Sequence, residues 1–118
     1  MRNPDFLFFQ GTTPGITLNV PMELDEGAII YVTFSQKFTR VLEYNDGGTA
    51  DAAVKASGAI HHDSGSVYIA MTQEDTLRLK VGDAALQIRV LQEDGTASTS
   101  FPIYGVICAA DKGGVIGD

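Results

Sequence analysis

The sequence predicts an all-β protein, an antiparallel β-sandwich of the immunoglobulin-like type, with a small β-barrel as the alternative. Apolar and polar residues alternate along most of the chain, which places the apolar side chains of each strand on one face. Short turn sequences separate six or seven such segments, and no apolar stripe with helical spacing is longer than one turn. A sandwich buries the apolar faces of two sheets against each other.

The first alternating segments lie between residues 16 and 45. Within each segment the apolar positions share one face: Ile16, Leu18 and Val20, then Ile30, Val32 and Phe34 in "AIIYVTFS" (28–35), then Leu42 and Tyr44 in "TRVLEYN". The last segment stops at "NDGG", where Gly47 and Gly48 can adopt positive φ without steric cost. This ending predicts a hairpin or a loop.

Two further alternating sets follow in the second half of the chain: Val67, Ile69 and Met71, then Leu86, Ile88 and Val90, with Gln87 and Arg89 on the opposite face of the second set. Asp94 and Gly95 predict a tight turn that joins "ALQIRVLQ" to "TASTSFPIYGVI" as neighbouring antiparallel strands. Pro102 lacks an amide hydrogen, so the last strand should have an edge or a bulge there.

Two short stretches break the alternation. "TQED", beginning at Thr72, is a capping box in which Thr72 and Asp75 bracket a single helical turn. "FLFF" at residues 6–9 is apolar at every position, so both of its faces should require cover. That cover is predicted to come from closure of the sandwich core, with a subunit interface as the alternative.

With 118 residues the chain has the length of one domain, which we expect to span residues 1–110. Residues 111–118 are rich in glycine and follow no strand pattern, which predicts a flexible C-terminal tail. The tail either frays or forms an arm that docks Val115 and Ile116 on a neighbouring subunit.

The composition narrows the possible partners and compartments. A hydrophobic fraction of 44% with 19% charged residues is typical of a folded chain. Acidic residues outnumber basic ones 15 to 8, giving a net charge of -7 that repels nucleic acid and anionic membranes. The first thirty residues lack a basic start followed by an apolar run, so we expect no signal peptide and folding in a cytoplasm.

No residue pattern predicts a catalytic, cofactor-binding or metal site. His61 and His62 are adjacent and should point to opposite faces of a strand, so "HHDSG" with Asp63 is interpreted as a polar turn. Cys108 is the only cysteine and is expected to pack in or near the core. No serine lies in a hydrolase elbow: Ser57, Ser64, Ser66, Ser98 and Ser100 all have polar or alternating neighbours.

Several phrases of the chain resemble small structural proteins encoded in the tail-gene regions of phages and prophages of Gram-positive bacteria. They are "RNPDFLFFQGTTPGITLNVPMEL", "IIYVTFSQ", "MTQEDTLRL" and "ALQIRVLQEDGTAST", and the resemblance extends over roughly residues 7–107. The chain is also similar to the immunoglobulin-like N-terminal domain of upper baseplate proteins of such phages. Those proteins continue into further domains, whereas this sequence ends at Asp118, so no receptor-binding role is expected from the resemblance.

The resemblance implies a non-enzymatic structural protein of a phage or prophage particle, associated with the tail or baseplate. Its partners would be other virion proteins and further copies of itself, and it would be found in the virion and, during assembly, in the host cytoplasm. The face that carries Gln87, Arg89 and Thr99 could mate with another virion protein. The alternative is a stand-alone binding module for a carbohydrate or cell-surface ligand, presented by aromatic residues such as Tyr31, Tyr44, Tyr68 and Tyr104. An enzyme ranks third.

The predicted inward face can be tested at Ile88. Burial of one isoleucine contributes about 1.5–3 kcal/mol, and an aspartate in its place would leave an unpaired charge in the core. We expect Ile88→Asp to abolish cooperative folding in circular dichroism and thermal melting, whereas Arg89→Asp, on the opposite face, should fold normally. An unchanged melting curve for Ile88→Asp would show that the face is assigned wrongly.

Overall fold

A computed structural model of the chain describes residues 3–100, 102–110 and 116–117, which contain nine strands and one short helix. The strands are β1 (Phe6–Phe9), β2 (Gly15–Asn19), β3 (Ile29–Gln36), β4 (Thr39–Asp46), β5 (Ala59–His62), β6 (Ser66–Ala70), β7 (Gly82–Leu91), β8 (Ala97–Thr99) and β9 (Ile103–Cys108). The helix, α1 (Gln73–Arg78), lies between β6 and β7.

The strands form two separate sheets. The large sheet has the order β1-β9-β7-β3-β4, with β8 also paired to β7, and the small sheet has the order β2-β6-β5. Every pairing is antiparallel except that of β1 with β9, which is parallel. The sheets do not close on each other, so the predicted sandwich is confirmed and the alternative, a barrel, is wrong.

The order of strands is immunoglobulin-like. Taken across each sheet, β2, β6 and β5 occupy the places of strands B, E and D. In the other sheet, β9, β7, β3 and β4 occupy those of G, F, C and C′. Antibody domains brace this arrangement with a disulfide between strands B and F and a buried Trp on strand C. This sequence has one cysteine and no Trp, so apolar packing takes the place of both.

The core consists of the alternating positions that the sequence predicts. Ile30, Val32 and Phe34 on β3 are completely buried, and they face the small sheet's Val67 and Ile69 within one cluster. The buried set continues on the other strands with Leu18, Leu42, Tyr44, Leu86, Ile88, Val90 and Ile107. Phe34 is the centre of an aromatic group, since its ring makes edge contacts with Phe6, Phe8 and Tyr44.

The predicted "FLFF" segment is only half covered. Phe6 and Phe8 point inward and stack at 5.9 Å, which closes the core as expected. Leu7 and Phe9 are 54% and 47% exposed, so closure of the core covers only one face of the segment, and a subunit interface on the other face stays a prediction. The reason is that β1 is a sheet edge paired to β9, and its outer face has no layer above it.

The turns predicted at glycine residues are confirmed. Gly95 has φ of 88° in the turn between β7 and β8, and Gly47 and Gly48 have φ of 81° and 65° in a loop after β4. Pro102 lies between β8 and β9, where the pairing with β7 shifts by one residue. Pro102 therefore marks a bulge rather than an edge, because β9 is paired on both sides.

The capping box is present as predicted. The Thr72 hydroxyl accepts from the Asp75 amide at 3.1 Å, and the Asp75 carboxylate accepts in return from the Thr72 amide. Asp75 does more than cap the helix, because its side chain is buried and accepts from the Tyr44 hydroxyl at 2.7 Å and from the amides of Ser57 and Gly58 at 2.8 Å each. One carboxylate thus joins α1, β4 and the segment that leads into β5.

The charge of Asp75 is sustained by these donors. Burial opposes ionisation, but the hydrogen bonds from Ser57, Tyr44 and Gly58 outweigh it and hold the pKa of Asp75 below its ordinary value of 3.8. Burial, together with the adjacent carboxylate, raises the pKa of Tyr44. Tyr44 therefore remains a neutral donor throughout the physiological range.

Removing the carboxylate should destabilise the fold strongly. We expect Asp75→Ala to lower the free energy of unfolding by about 3 kcal/mol, because several buried donors lose their acceptor at once. Tyr44→Phe removes one of these bonds and should cost about 1 kcal/mol. Urea denaturation of both variants measures the difference.

The same contribution should depend on pH in one direction. Since the folded pKa is depressed, the stabilisation is present above about pH 4 and is lost as the pH falls through the folded value. The gap in stability between the wild-type chain and Asp75→Ala should therefore narrow in acid. A gap that stays constant down to about pH 2 would contradict this assignment.

Candidate functional site

The two histidines do not form a joint site. They are neighbours on β5, and their side chains point to opposite faces as the sequence predicts. His61 is exposed and stacks on Tyr68 at 4.8 Å, while the side chain of His62 is 7% exposed. Asp63 instead closes the turn to β6, accepting from the amides of Gly65 and Ser66. Among the described residues no group of three or more potential ligands is placed to hold a metal ion.

His62 connects the two sheets. Its Nδ1 lies 2.6 Å from the Asp46 carboxylate on β4, and its Nε2 lies 2.9 Å from the carbonyl oxygen of Asp25. A carbonyl and a carboxylate only accept, so the ring satisfies both contacts with a proton on each nitrogen. Burial opposes that charge, but these bonds outweigh it and raise the pKa of His62 above 6.5.

Two of the serines that the sequence singles out have structural contacts. The hydroxyl of Ser57 donates to Asp75, and the hydroxyl of Ser100 accepts from the Ile88 amide. In the described part of the chain no serine hydroxyl hydrogen-bonds to a histidine. Cys108 is half-buried on the outer side of β9, beside Phe9, rather than inside the core.

The four tyrosines lie in four separate environments. Tyr44 is buried, Tyr68 donates to Asp63, and the hydroxyl of Tyr31 exchanges hydrogen bonds with the backbone of Thr49. Tyr104 is 56% exposed on the outer face of β9. They do not combine into one aromatic surface.

Of the predicted tail, the structure describes Ile116 and Gly117, and Val115 lies outside the described residues. The Gln73 side chain accepts from the Ile116 amide at 2.6 Å and donates to its carbonyl at 3.0 Å. The main chain of Ile116 is therefore held by α1 of its own chain, and its side chain is 53% exposed. No helix in the described ranges is long and apolar enough to cross a membrane.

The strongest candidate site is a groove of about 870 Å³ at the end of the sandwich where β3 turns into β4 and β7 begins. We call it the basic groove, and its lining includes Gln36, Lys37, Arg40, Arg78, Lys80 and Asp83. Four of the eight lysines and arginines of the sequence therefore line one groove of an acidic chain. The sequence gives no local sign of this, because the residues come from three separate segments.

Backbone contacts shape the walls of the basic groove. Arg78 donates to the carbonyl oxygens of Lys55, Ala53 and Val41 at 2.8, 2.9 and 3.1 Å, which fixes the loop before β5 against β4. On the other side the side-chain amide of Gln36 donates through its nitrogen to the Lys80 carbonyl, and its oxygen accepts from the backbone amide of Lys80. The hairpin and the segment before β7 are thereby held together.

The cations of the basic groove differ in how far they are neutralised. Arg40 lies 3.4 Å from Glu43 and 3.8 Å from Asp51. Neither Lys37, Lys80 nor Arg78 has a carboxylate within ion-pair distance in the described part of the chain. The groove thus keeps uncompensated positive charge that an acidic partner could neutralise.

An exposed aromatic residue stands next to the groove. Lys37 and Phe38 form the two-residue turn between β3 and β4, with φ of 50° and 66°, the geometry that Asn-Gly usually adopts. Phe38 is fully exposed, at 107%. A non-glycine residue at positive φ costs about 1–2 kcal/mol, so this turn is strained and also leaves an aromatic ring exposed to solvent. The sequence has no typical turn residues at Lys37 and Phe38, so its pattern does not predict this hairpin turn.

The face proposed from the sequence for mating is also present. Arg89 pairs with Thr99 on β8 and with Tyr31 on β3, so these side chains lie together on the outer face of the large sheet. Gln87 lies on the same face, but its amide donates to the Ser100 carbonyl at 2.9 Å and is less free to contact a partner.

Comparison with models of known protein families gives no match, and comparison with curated proteins also gives none. Among solved structures, the chain is similar to the first immunoglobulin-like domain of human CD48 antigen, determined in solution. The two are 19% identical over 98% of this chain and 90% of that one, with a TM-score of 0.43. No function is transferred from this similarity.

The bridge made by His62 should give the fold a second pH dependence, opposite in direction to that of Asp75. Because the pKa of His62 is raised on folding, its contribution is present below 6.5 and is lost as the pH rises through the folded value. We expect His62→Gln to lower the free energy of unfolding by about 2 kcal/mol near pH 5.5 and by clearly less near pH 9.

Asp46→Asn is the matched control, since it removes the carboxylate and should abolish the same pH dependence. Equal losses for His62→Gln at both pH values would show that the bridge does not depend on a charged ring.

Proposed function

We propose that this protein is a non-enzymatic assembly module of a phage or prophage particle, located in the tail or baseplate and present in several copies. Other virion proteins are its partners, nucleic acid and membranes are not, and assembly takes place in the host cytoplasm. The setting is supported by the resemblance of residues 7–107 to small structural proteins of tail-gene regions.

The observation that carries the assembly role is the fully exposed Phe38 on a strained turn beside the basic groove. Strain that persists at an exposed site is typical of residues kept for contact rather than for stability. Aromatic residues are enriched at the centre of protein interfaces, and cations beside them supply charge complementarity toward the rim. The catalytic alternatives lack such support, because Ser57, Ser100 and His62 are engaged in structural hydrogen bonds and none of the described serine hydroxyls hydrogen-bonds to a histidine.

A stand-alone module for a carbohydrate or cell-surface ligand remains the second interpretation of the sequence. Such a module would present several aromatic residues together. The tyrosines lie apart, and two of them are used in side-chain bonds to Asp75 and Asp63. We therefore rank the assembly module first.

Phe38 allows function to be separated from stability. Phe38→Gly removes both the ring and the penalty of positive φ, so the free energy of unfolding should rise by about 0.5–1 kcal/mol. Incorporation into particles should nevertheless fall. The measurement is an immunoblot of purified particles induced from the bacterial strain that carries the gene, next to thermal melting of the purified variant.

Phe38→Tyr is the matched control, because it keeps the ring and the strained turn, and it should behave as the wild-type chain does in both measurements. Particles that lack the wild-type chain altogether would refute the proposed function.

A further inference from the structure

We infer that the basic groove binds the opposite, acidic end of a second copy of this chain, so that copies associate head to tail. The inference rests on the proposed role as a repeated subunit and names the partner of the groove. The acidic end comprises the exposed carboxylates of Glu23, Glu26, Asp63, Glu93 and Asp94.

Three loops build the acidic end, and hydrogen bonds hold them together. The Leu24 amide donates to the Ser64 carbonyl at 2.8 Å, which joins the loop after β2 to the turn after β5. The Glu93 amide donates to the Asp25 carboxylate at 3.0 Å, which adds the turn after β7. The segments 20–28, 63–65 and 92–96 contain no lysine or arginine, and the charged ring of His62 that contacts Asp25 is buried and paired with Asp46. The exposed carboxylates of these segments therefore form one negative patch.

The two charged regions lie at opposite ends of the same strands. β7 begins at Gly82, which lines the basic groove, and ends at Leu91, two residues before Glu93. β3 runs the other way, from Ile29 beside Leu91 to Gln36 in the groove. Ten residues of strand separate the ends by about 30 Å. The net charge of -7 is therefore unevenly distributed, with one basic and one acidic end.

Both ends also offer apolar contact area. Phe38 and Val81 are exposed beside the groove, and Leu91 is 42% exposed beside the acidic end. A contact between unlike ends is heterologous, so each copy can use its groove on one neighbour and its acidic end on another. Such a contact produces a row or a ring of copies. Each contact can be weak, since a particle that holds neighbouring copies close raises their effective concentration.

Ionic strength should affect this association in two opposing ways. In about 0.01 M salt the Debye length is about 30 Å, so each copy experiences the full net charge of the other and is repelled. In about 1 M salt the length is about 3 Å, and the contact between unlike ends is screened as well. Association should therefore be strongest near physiological salt, where the screening length of about 8 Å is shorter than the distance between the ends.

The test is sedimentation velocity of the purified full-length chain over a range of concentrations and salt. Lys37→Glu/Lys80→Glu reverses two exposed cations whose ammonium groups have no ion-pair partner among the described residues. Glu23→Lys/Glu26→Lys reverses two exposed carboxylates at the acidic end. Each double variant should weaken self-association about tenfold or more with unchanged thermal stability.

Mixing the two double variants provides the decisive arm. The reversed groove of one attracts the reversed end of the other, and their two unaltered ends still attract each other, so association should return in the mixture alone. Lys80→Glu alone is compared with Arg89→Glu, which makes the same change in net charge but lies outside the groove. Lys80→Glu should weaken association, and Arg89→Glu should not.

Four results would overturn the inference: a wild-type chain that stays monomeric at every salt concentration, association that only strengthens with salt, double variants that associate normally, or a mixture that fails to recover. The particle immunoblot remains independent of these outcomes. A monomer that is incorporated into particles would refute head-to-tail association and leave the assembly role intact. Self-association of a chain that is absent from particles would refute the assembly role and leave head-to-tail association intact.

Discussion

Burial of one apolar face of each sheet against the other is the constraint on which the rest of this structure depends. The sandwich has no disulfide to constrain its unfolded chain and no Trp to fill its centre. Ile30, Val32 and Phe34 are completely buried on β3, and the ring of Phe34 contacts three other aromatic rings. Because each such residue contributes about 1.5–3 kcal/mol, a strict period of two on the central strands is enough to determine which face turns inward.

Two ionised side chains then fix the side of the sandwich where β4 of the large sheet lies next to β5 of the small sheet. Asp75 and His62 lie at opposite ends of β5, and each reaches β4 in the large sheet, through Tyr44 and Asp46 respectively. Apolar packing holds the sheets together but is not directional, whereas these bonds set the position of β5 relative to β4. Their pKa shifts have opposite signs, so the two ends of this junction weaken at opposite extremes of pH.

Local patterns allowed much of the fold to be predicted. The inward face of β7, the capping box at Thr72 and the turn at Gly95 each follow from a few consecutive residues, and each is confirmed. The features that were missed depend on contacts between distant segments. The basic groove joins the β3–β4 hairpin to the segment before β7, and the bridge from His62 reaches a loop 37 residues away. The turn at Phe38 was missed for another reason, since its residues oppose the conformation that they adopt.

Agreement or disagreement between residue type and backbone conformation distinguishes the turn at Gly95 from the turn at Phe38. At Gly95 the residue type and the conformation agree, as local consistency requires of a chain that folds reliably. At Phe38 they disagree, and the disagreement is found beside the greatest concentration of basic side chains in an acidic molecule. Stability explains neither the exposed ring nor the uncompensated lysines, since replacing either would not disturb the core. The proposed contact, in which a partner buries the ring and neutralises the charges, would account for both.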